Sequence, residues 1–230
     1  GVQTCALPIS PQKVADCLKA MQDSVSVPVT VKHRIGVDDQ TSYGFVRDFV
    51  GTVHEAGTRV FIVHARAAWL KGLSPKENRD IPPLDRELAA RLKADFPDSI
   101  FVVNGGIKTL SECQTELNRF DGVMLGREAY NNPWLLTEVD HALYGDPEST
   151  LSRDEVVEQM ADYVDLVQER EPLAARTAVN HLMGLALGLP GGARHWRRLL
   201  TDPALWKTKK AGEIVRLAWK EVKPEAGLED

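Results

Sequence analysis

The chain has 230 residues, 43% of them apolar and 27% charged, and carries a formal net charge of −5. That balance suits one large or two modest soluble globular domains. No apolar run is long enough to span a bilayer and no signal peptide opens the chain. Three cysteines (Cys5, Cys17 and Cys113) stand at no metal-ligand spacing, which argues against a disulfide framework or metal site and for a reducing, cytoplasmic setting.

In chain order, the first half alternates strand and helix signals. VPVTVKH (27–33) is β-branched and has Pro28 at its start. YGFVRDFVGTVHEAG (43–57) places Phe45, Val46, Phe49, Val50 and Val53 at helical spacing, with Gly57 positioned to end the helix. RVFIVHA (59–65) is the next strand. A long loop follows, then a helix near 84–95, the strand IFVVNGG, a helix from about Thr109, and the strand GVMLG. These apolar runs are short and continuous, which predicts strands buried on both faces and a parallel α/β sheet. Only four strands precede the change in pattern, so this part reads as half of an eight-stranded barrel or as a small open sheet.

The second half reads as helical. In 151–170, Val156, Val157, Met160, Tyr163, Val164 and Val167 form one apolar stripe; Ser152 and Glu155 have the capping-box form, and Pro172 ends the segment. AVNHLMGLALG, GGARHWRRLL and AGEIVRLAWKEV supply three further helices, with a boundary between the two parts near 145–150. Between Pro190 and Lys223 nine lysines and arginines face three acids, a surplus of +6 in a chain of net −5. Such a run is either a solvated helical face or a patch facing phosphates.

Two consecutive strand ends carry the strongest chemical signal. One closes in Asn104, Gly105 and Gly106, the next in Gly126 and Arg127. Glycines at a strand end let backbone N–H groups approach an anion, and an arginine can fork onto two oxygens. Each motif alone is satisfied by a tight turn; in consecutive units they predict a phosphate cradle. Lys32 and His64 also stand at the C-terminal ends of strands, the edge where parallel folds put active sites. There a lysine can offer charge to an electron-rich ring and a histidine can hydrogen-bond a carbonyl or imide. Otherwise they are a solvated strand-end charge and a satisfied histidine; His33 and His54 carry no signal beyond that. The loop after His64 is long and basic, with Arg66, Lys71, Lys76 and Arg79 beside Trp69, and suits a nucleic-acid backbone with an unstacked base.

VPVTVKHRIGVDD, IVHARAAWLKGLSPKENRDIPPL, VVNGGI and GVMLGREAYNNPWLL resemble the tRNA-dihydrouridine synthases, most closely their bacterial A-type, and HLMGLALGLPGGARHWRRLL is similar to that type's C-terminal helical domain. The resemblance implies an FMN-dependent (β/α)8 barrel followed by a helical tRNA-binding domain. It also implies reduction of a D-loop uridine to dihydrouridine, with NADPH recharging the flavin. It assigns Lys32 and His64 to the flavin site. It assigns Asn104, Gly105, Gly106, Gly126 and Arg127 to the FMN phosphate, and Lys76, Arg79, Arg194 and Arg197 to tRNA.

On that basis residues 1–10 form a junction segment unlike the family, 11–147 the C-terminal half of the barrel with its last four strands, and 148–230 the helical tRNA-binding domain. The chain is then expected to be an incomplete and catalytically poor form, with no membrane association and no obligate protein partner. Cys5 is a candidate for the proton-donating cysteine by position only, in a foreign context about one residue out of register. LPGGARHW carries one glycine more than the family usually has. Two other readings remain: an FMN barrel oxidoreductase acting on a small substrate, and a non-catalytic tRNA-binding chain.

Overall fold

The computed structural model describes residues 2–6, 10–190 and 192–223, with only the backbone of 2–6. The chain divides into two compact units, residues 1–126 and 127–230.

The first unit is a parallel sheet of five strands in sequential order: β1 (Val2–Ala6), β2 (Val29–Arg34), β3 (Val60–His64), β4 (Ile100–Asn104) and β5 (Gly122–Met124). Four of these match the strands expected from sequence; β1 falls in the segment read as a junction. Its pairing sets Cys5 opposite Lys32, while the side chain of Cys5 lies outside the described part.

Helices α1 (Pro11–Ser24), α2 (Tyr43–Glu55), α3 (Arg86–Asp95) and α4 (Leu110–Leu117) make the crossovers. Parallel crossovers are right-handed, and here each steps the same way along the sheet, so all four helices fall on one face. Burial agrees. Val31, Phe61, Val63, Phe101 and Val103 are almost completely enclosed against Leu18, Phe49, Val50, Val53 and Leu92. Of the alternating positions, Thr30, Lys32, Arg34, Val60, Ile62 and Val102 are only half-buried and Ile100 is 49% exposed, while His64 and Asn104 at the strand ends are buried. The sequence predicted strands buried on both faces; the structure covers one. A continuous apolar run cannot distinguish a second covered face from one lined by Val60, Ile62 and Val102.

Local signals place the helix ends. Ser42 accepts from Phe45 N–H and Asp85 from Leu88 N–H, and Thr109 with Glu112 closes a reciprocal capping box.

In the second unit every regular element among the described residues is helical. α5 (Arg127–Asn131), a 3-10 turn (Pro133–Glu138) and a π-helical turn (Asp140–Tyr144) lead to α6 (Arg153–Arg170), α7 (Ala175–Asn180), α8 (Gly192–Leu200), α9 (Pro203–Thr208) and α10 (Ala211–Val222). Ser152 and Glu155 form the capping box read from the sequence. Val157, Val164, Val179, Trp196, Leu200, Ile214 and Trp219 share one core, with Trp196 edge-on to Trp219 at 6.0 Å between centroids. α10 crosses α6 at Gly212, where a Cβ would come within 2.6 Å of the Ala161 carbonyl oxygen. Gln168 and Asp165 of α6 accept from the first amides of α10, adding to the Glu213 carboxylate that accepts from Lys210 N–H.

The helix expected over AVNHLMGLALG is shorter than its pattern suggested: α7 ends at Asn180 and tight turns run to Gly188. Gly184 packs where a Cβ would meet the Asn131 carbonyl oxygen at 2.4 Å, and Gly188 has φ +85°. Close packing and a left-handed turn thus override an apolar helical spacing.

Candidate functional site at the C-terminal strand edge

Strand register assembles the site. Arg34 pairs with His64, His64 with Asn104, and Asn104 with Met124, which sets these residues in one row across four strands at the C-terminal edge. One row further in, Lys32 pairs with Ile62 and Ile62 with Val102. Side chains alternate along a strand, so Lys32, Arg34, His64 and Asn104 share the face opposite the helices. His33 points the other way, between Phe49 and Phe61 at 5.2 and 6.2 Å, and its Nδ1 lies 3.0 Å from the Arg34 carbonyl oxygen. Complete burial, helped by the charge of Lys32, lowers its pKa to about 4, so it is neutral at pH 7.

Asn104 is buried and donates through Nδ2 to the Met124 carbonyl oxygen at 2.7 Å, tying the ends of β4 and β5 together. Gly105 and Gly106 follow with φ of +118° and +71°, conformations that favour glycine. Side chains there would collide with Leu84 and with the His64 ring: a Cβ at Gly105 would lie 3.0 Å from each, and one at Gly106 2.7 Å from Leu84 Cδ1. The two glycines thus serve internal packing first. Their second consequence is a set of donors. Among the described residues, the amides of Gly105, Gly106 and Gly126 give no hydrogen bond to a protein acceptor. A Cβ at Gly126 would meet nothing within 4 Å, so approach to that strand end is open. Adjacent strand ends with unused N–H groups, at an edge carrying Lys32, can receive an anion. Gly126 ends the first unit; Arg127 is exposed and opens α5 of the second.

The loop after β3 is pinned internally. Asn78 and Trp69 exchange two hydrogen bonds, and Ser74 donates twice to Glu77. Arg34 donates through Nη1 to the carbonyls of Ala67 and Asn78, at 2.9 and 2.8 Å. Burial, with Arg79 and Arg66 nearby, holds the Arg34 guanidinium below its ordinary pKa. Lys76 and Arg79 are exposed on this loop. Arg34 escaped the sequence reading, although its i+2 position from Lys32 puts it on the same face. Leu84 and Arg86, which touch both glycines, gave no local signal.

In the second unit, Arg194 and Arg197 are exposed on α8 while Trp196 and Leu200 point inward. Arg197 also reaches the Met183 carbonyl oxygen at 3.4 Å. Among the described residues no helix is long and apolar enough to cross a membrane, and no His, Cys, Asp or Glu cluster could hold a metal ion.

The sequence pattern of the Dihydrouridine synthase (Dus) family matches residues 3–220. A tRNA-dihydrouridine(20/20a) synthase of Pseudomonas putida is 56% identical over 191 residues, 83% of this chain and 56% of that protein. Proteins of the same name from Shewanella oneidensis and Escherichia coli are 47% and 51% identical, over 94% and 84% of this chain and 63% and 58% of theirs. The chain thus spans 56% to 63% of the length of these relatives. Among solved structures, mandelate oxidase with benzoyl-formic acid matches 96% of this chain and 65% of that one at 15% identity and a TM-score of 0.43, a likeness too slight to support an argument.

Proposed function

The chain belongs to the dihydrouridine synthase family, and from that premise we propose that it serves in the flavin-dependent reduction of a D-loop uridine in tRNA to 5,6-dihydrouridine, in the cytoplasm, with NADPH as reductant. The observation that carries this reading is the pairing of β4 with β5, from which two glycine-bearing strand ends leave side by side at the edge that holds Lys32 and His64. The residues fit a flavin mononucleotide: unused amides and an arginine suit its phosphate, and a lysine suits an electron-rich ring. When bound, the flavin supplies the hydride and NADPH restores it.

In this reading Asn104, Gly105, Gly106, Gly126 and Arg127 hold the phosphate. Lys32 offers its charge to the pyrimidine side of the ring, an electrostatic contribution. His64, buried against Gly105, fixes flavin or uracil by hydrogen bonding. Lys76 and Arg79 on the loop, and Arg194 and Arg197 on α8, attract the RNA backbone, so binding weakens with salt. The target base leaves its stack to reach the site, at a cost of a few kcal/mol that this binding offsets. The sheet of the first unit is read as part of a (β/α)8 barrel extending to residue 147, and residues 148–230 as the RNA-binding part.

The test is to titrate the purified chain with FMN by fluorescence quenching, then supply NADPH and unmodified tRNA and assay dihydrouridine by nucleoside mass spectrometry. Quenching of FMN and product that requires both FMN and NADPH are expected. A chain that retards tRNA in a gel but never quenches FMN refutes the flavoenzyme reading.

A further inference from the structure

We infer that Arg86, anchored by the buried Glu116, is a positioning residue that aims the Gly106 amide at the flavin phosphate; this rests on the flavin reading above. Arg86 is the first residue of α3, and its guanidinium forks. Nη2 donates to the Gly105 carbonyl oxygen at 2.9 Å and Nη1 to Glu116 Oε1 at 3.0 Å, joining the glycine turn to α4. In a trans peptide the C=O and N–H point in opposite directions, and no peptide among the described residues is cis. Holding the Gly105 carbonyl toward Arg86 therefore turns the Gly106 N–H away from it, and that N–H meets no protein acceptor among the described residues.

Two successive glycines with positive φ form a turn whose central peptide can rotate easily, so its direction needs a lock. The lock is poorly suited to stabilising the fold. Glu116 is only 5% exposed, and among the described residues its Oε2 and the Nε of Arg86 are buried without a hydrogen-bond partner. Arg119 approaches that Oε2 no nearer than 3.9 Å. A buried ion pair left partly unsatisfied contributes little net stability; what it does specify is one orientation of one peptide.

The experiment compares dissociation constants for FMN and for riboflavin, which lacks the phosphate, in the full chain and in Arg86→Ala. The variant should lose roughly tenfold of the preference for FMN, the scale of one charge-assisted hydrogen bond, while riboflavin affinity holds within about twofold. If Arg86→Ala leaves too little folded protein, the double variant R86M/E116Q removes the donor together with the buried charge and should show the same selective loss. An unchanged preference for FMN, or equal weakening toward both flavins, overturns the positioning role and leaves the flavin reading standing. A wild-type chain that binds neither flavin overturns the flavin reading, and this inference with it.

Discussion

His33 offers the sharpest test of how the sheet is packed. The imidazole is 1% exposed between two phenylalanines, its Nε2 has no hydrogen-bond partner among the described residues, and its pKa falls from 6.5 to about 4. The folded state therefore favours the neutral ring. The stability it contributes is fully present above the unfolded value of 6.5 and is lost as pH falls toward the folded value near 4. Linkage between those two values gives a loss of about 2 kcal/mol between pH 7.5 and 5, and about 3 by pH 4. Replacing His33 with leucine keeps an apolar side chain between the rings and removes the titration. Urea unfolding followed by circular dichroism at pH 7.5 and 5 should show the wild type losing about 2 kcal/mol more than His33→Leu. Stopping at pH 5 keeps carboxylates with lowered pKa, such as Asp95, Asp98 and Asp121, ionised in both proteins. Equal losses in the two proteins would show that His33 is not held neutral by burial.

Gly106→Ala should cost about 1–2 kcal/mol, since alanine must adopt a left-handed φ beneath Leu84, whereas Gly126→Ala, with open space around its Cβ, should leave the unfolding midpoint nearly unchanged; similar midpoints for the two variants would contradict the local geometry. Trp196→Ala removes a fully buried indole that donates to the Leu182 carbonyl oxygen. It should destabilise the second unit by about 3–5 kcal/mol, so a loss under about 1 kcal/mol in urea titration would mean that this core is organised around other residues. Arg34→Ala frees the loop carbonyls of Ala67 and Asn78 and should speed tryptic cleavage at Lys71 and Lys76 about tenfold or more, without faster cleavage in the second unit; unaltered kinetics would show that Asn78 and Trp69 hold the loop alone.

Some of this protein was readable from short stretches of sequence, because some determinants act over a few residues. Ser152 and Glu155 announced the start of α6, as caps reach only three positions along the chain. The apolar runs of β2 to β4, and the glycines that close β4, marked strands and their ends, since period and turn chemistry are local. His64 could be set at a strand end by the same logic, whereas Lys32 lies one row further in, because β2 runs on to Arg34. Local period also misled: the apolar spacing after Ala178 looked helical, but close packing at Gly184 and a left-handed turn at Gly188 break it.

What remained hidden depends on residues far apart in the chain. Register decides that Arg34, His64 and Asn104 line up in one row, and register is set by the packing of whole strands. Arg34 meets Asn78 across 44 positions, and Arg86 meets Glu116 across 30. Neither partner can be inferred from the residues beside it. By itself the sequence determined which strand ends carry donors and charge. Only the tertiary structure decided which face they share and which way the glycine peptide turns, because a carbonyl is oriented by whatever donor the fold brings to it.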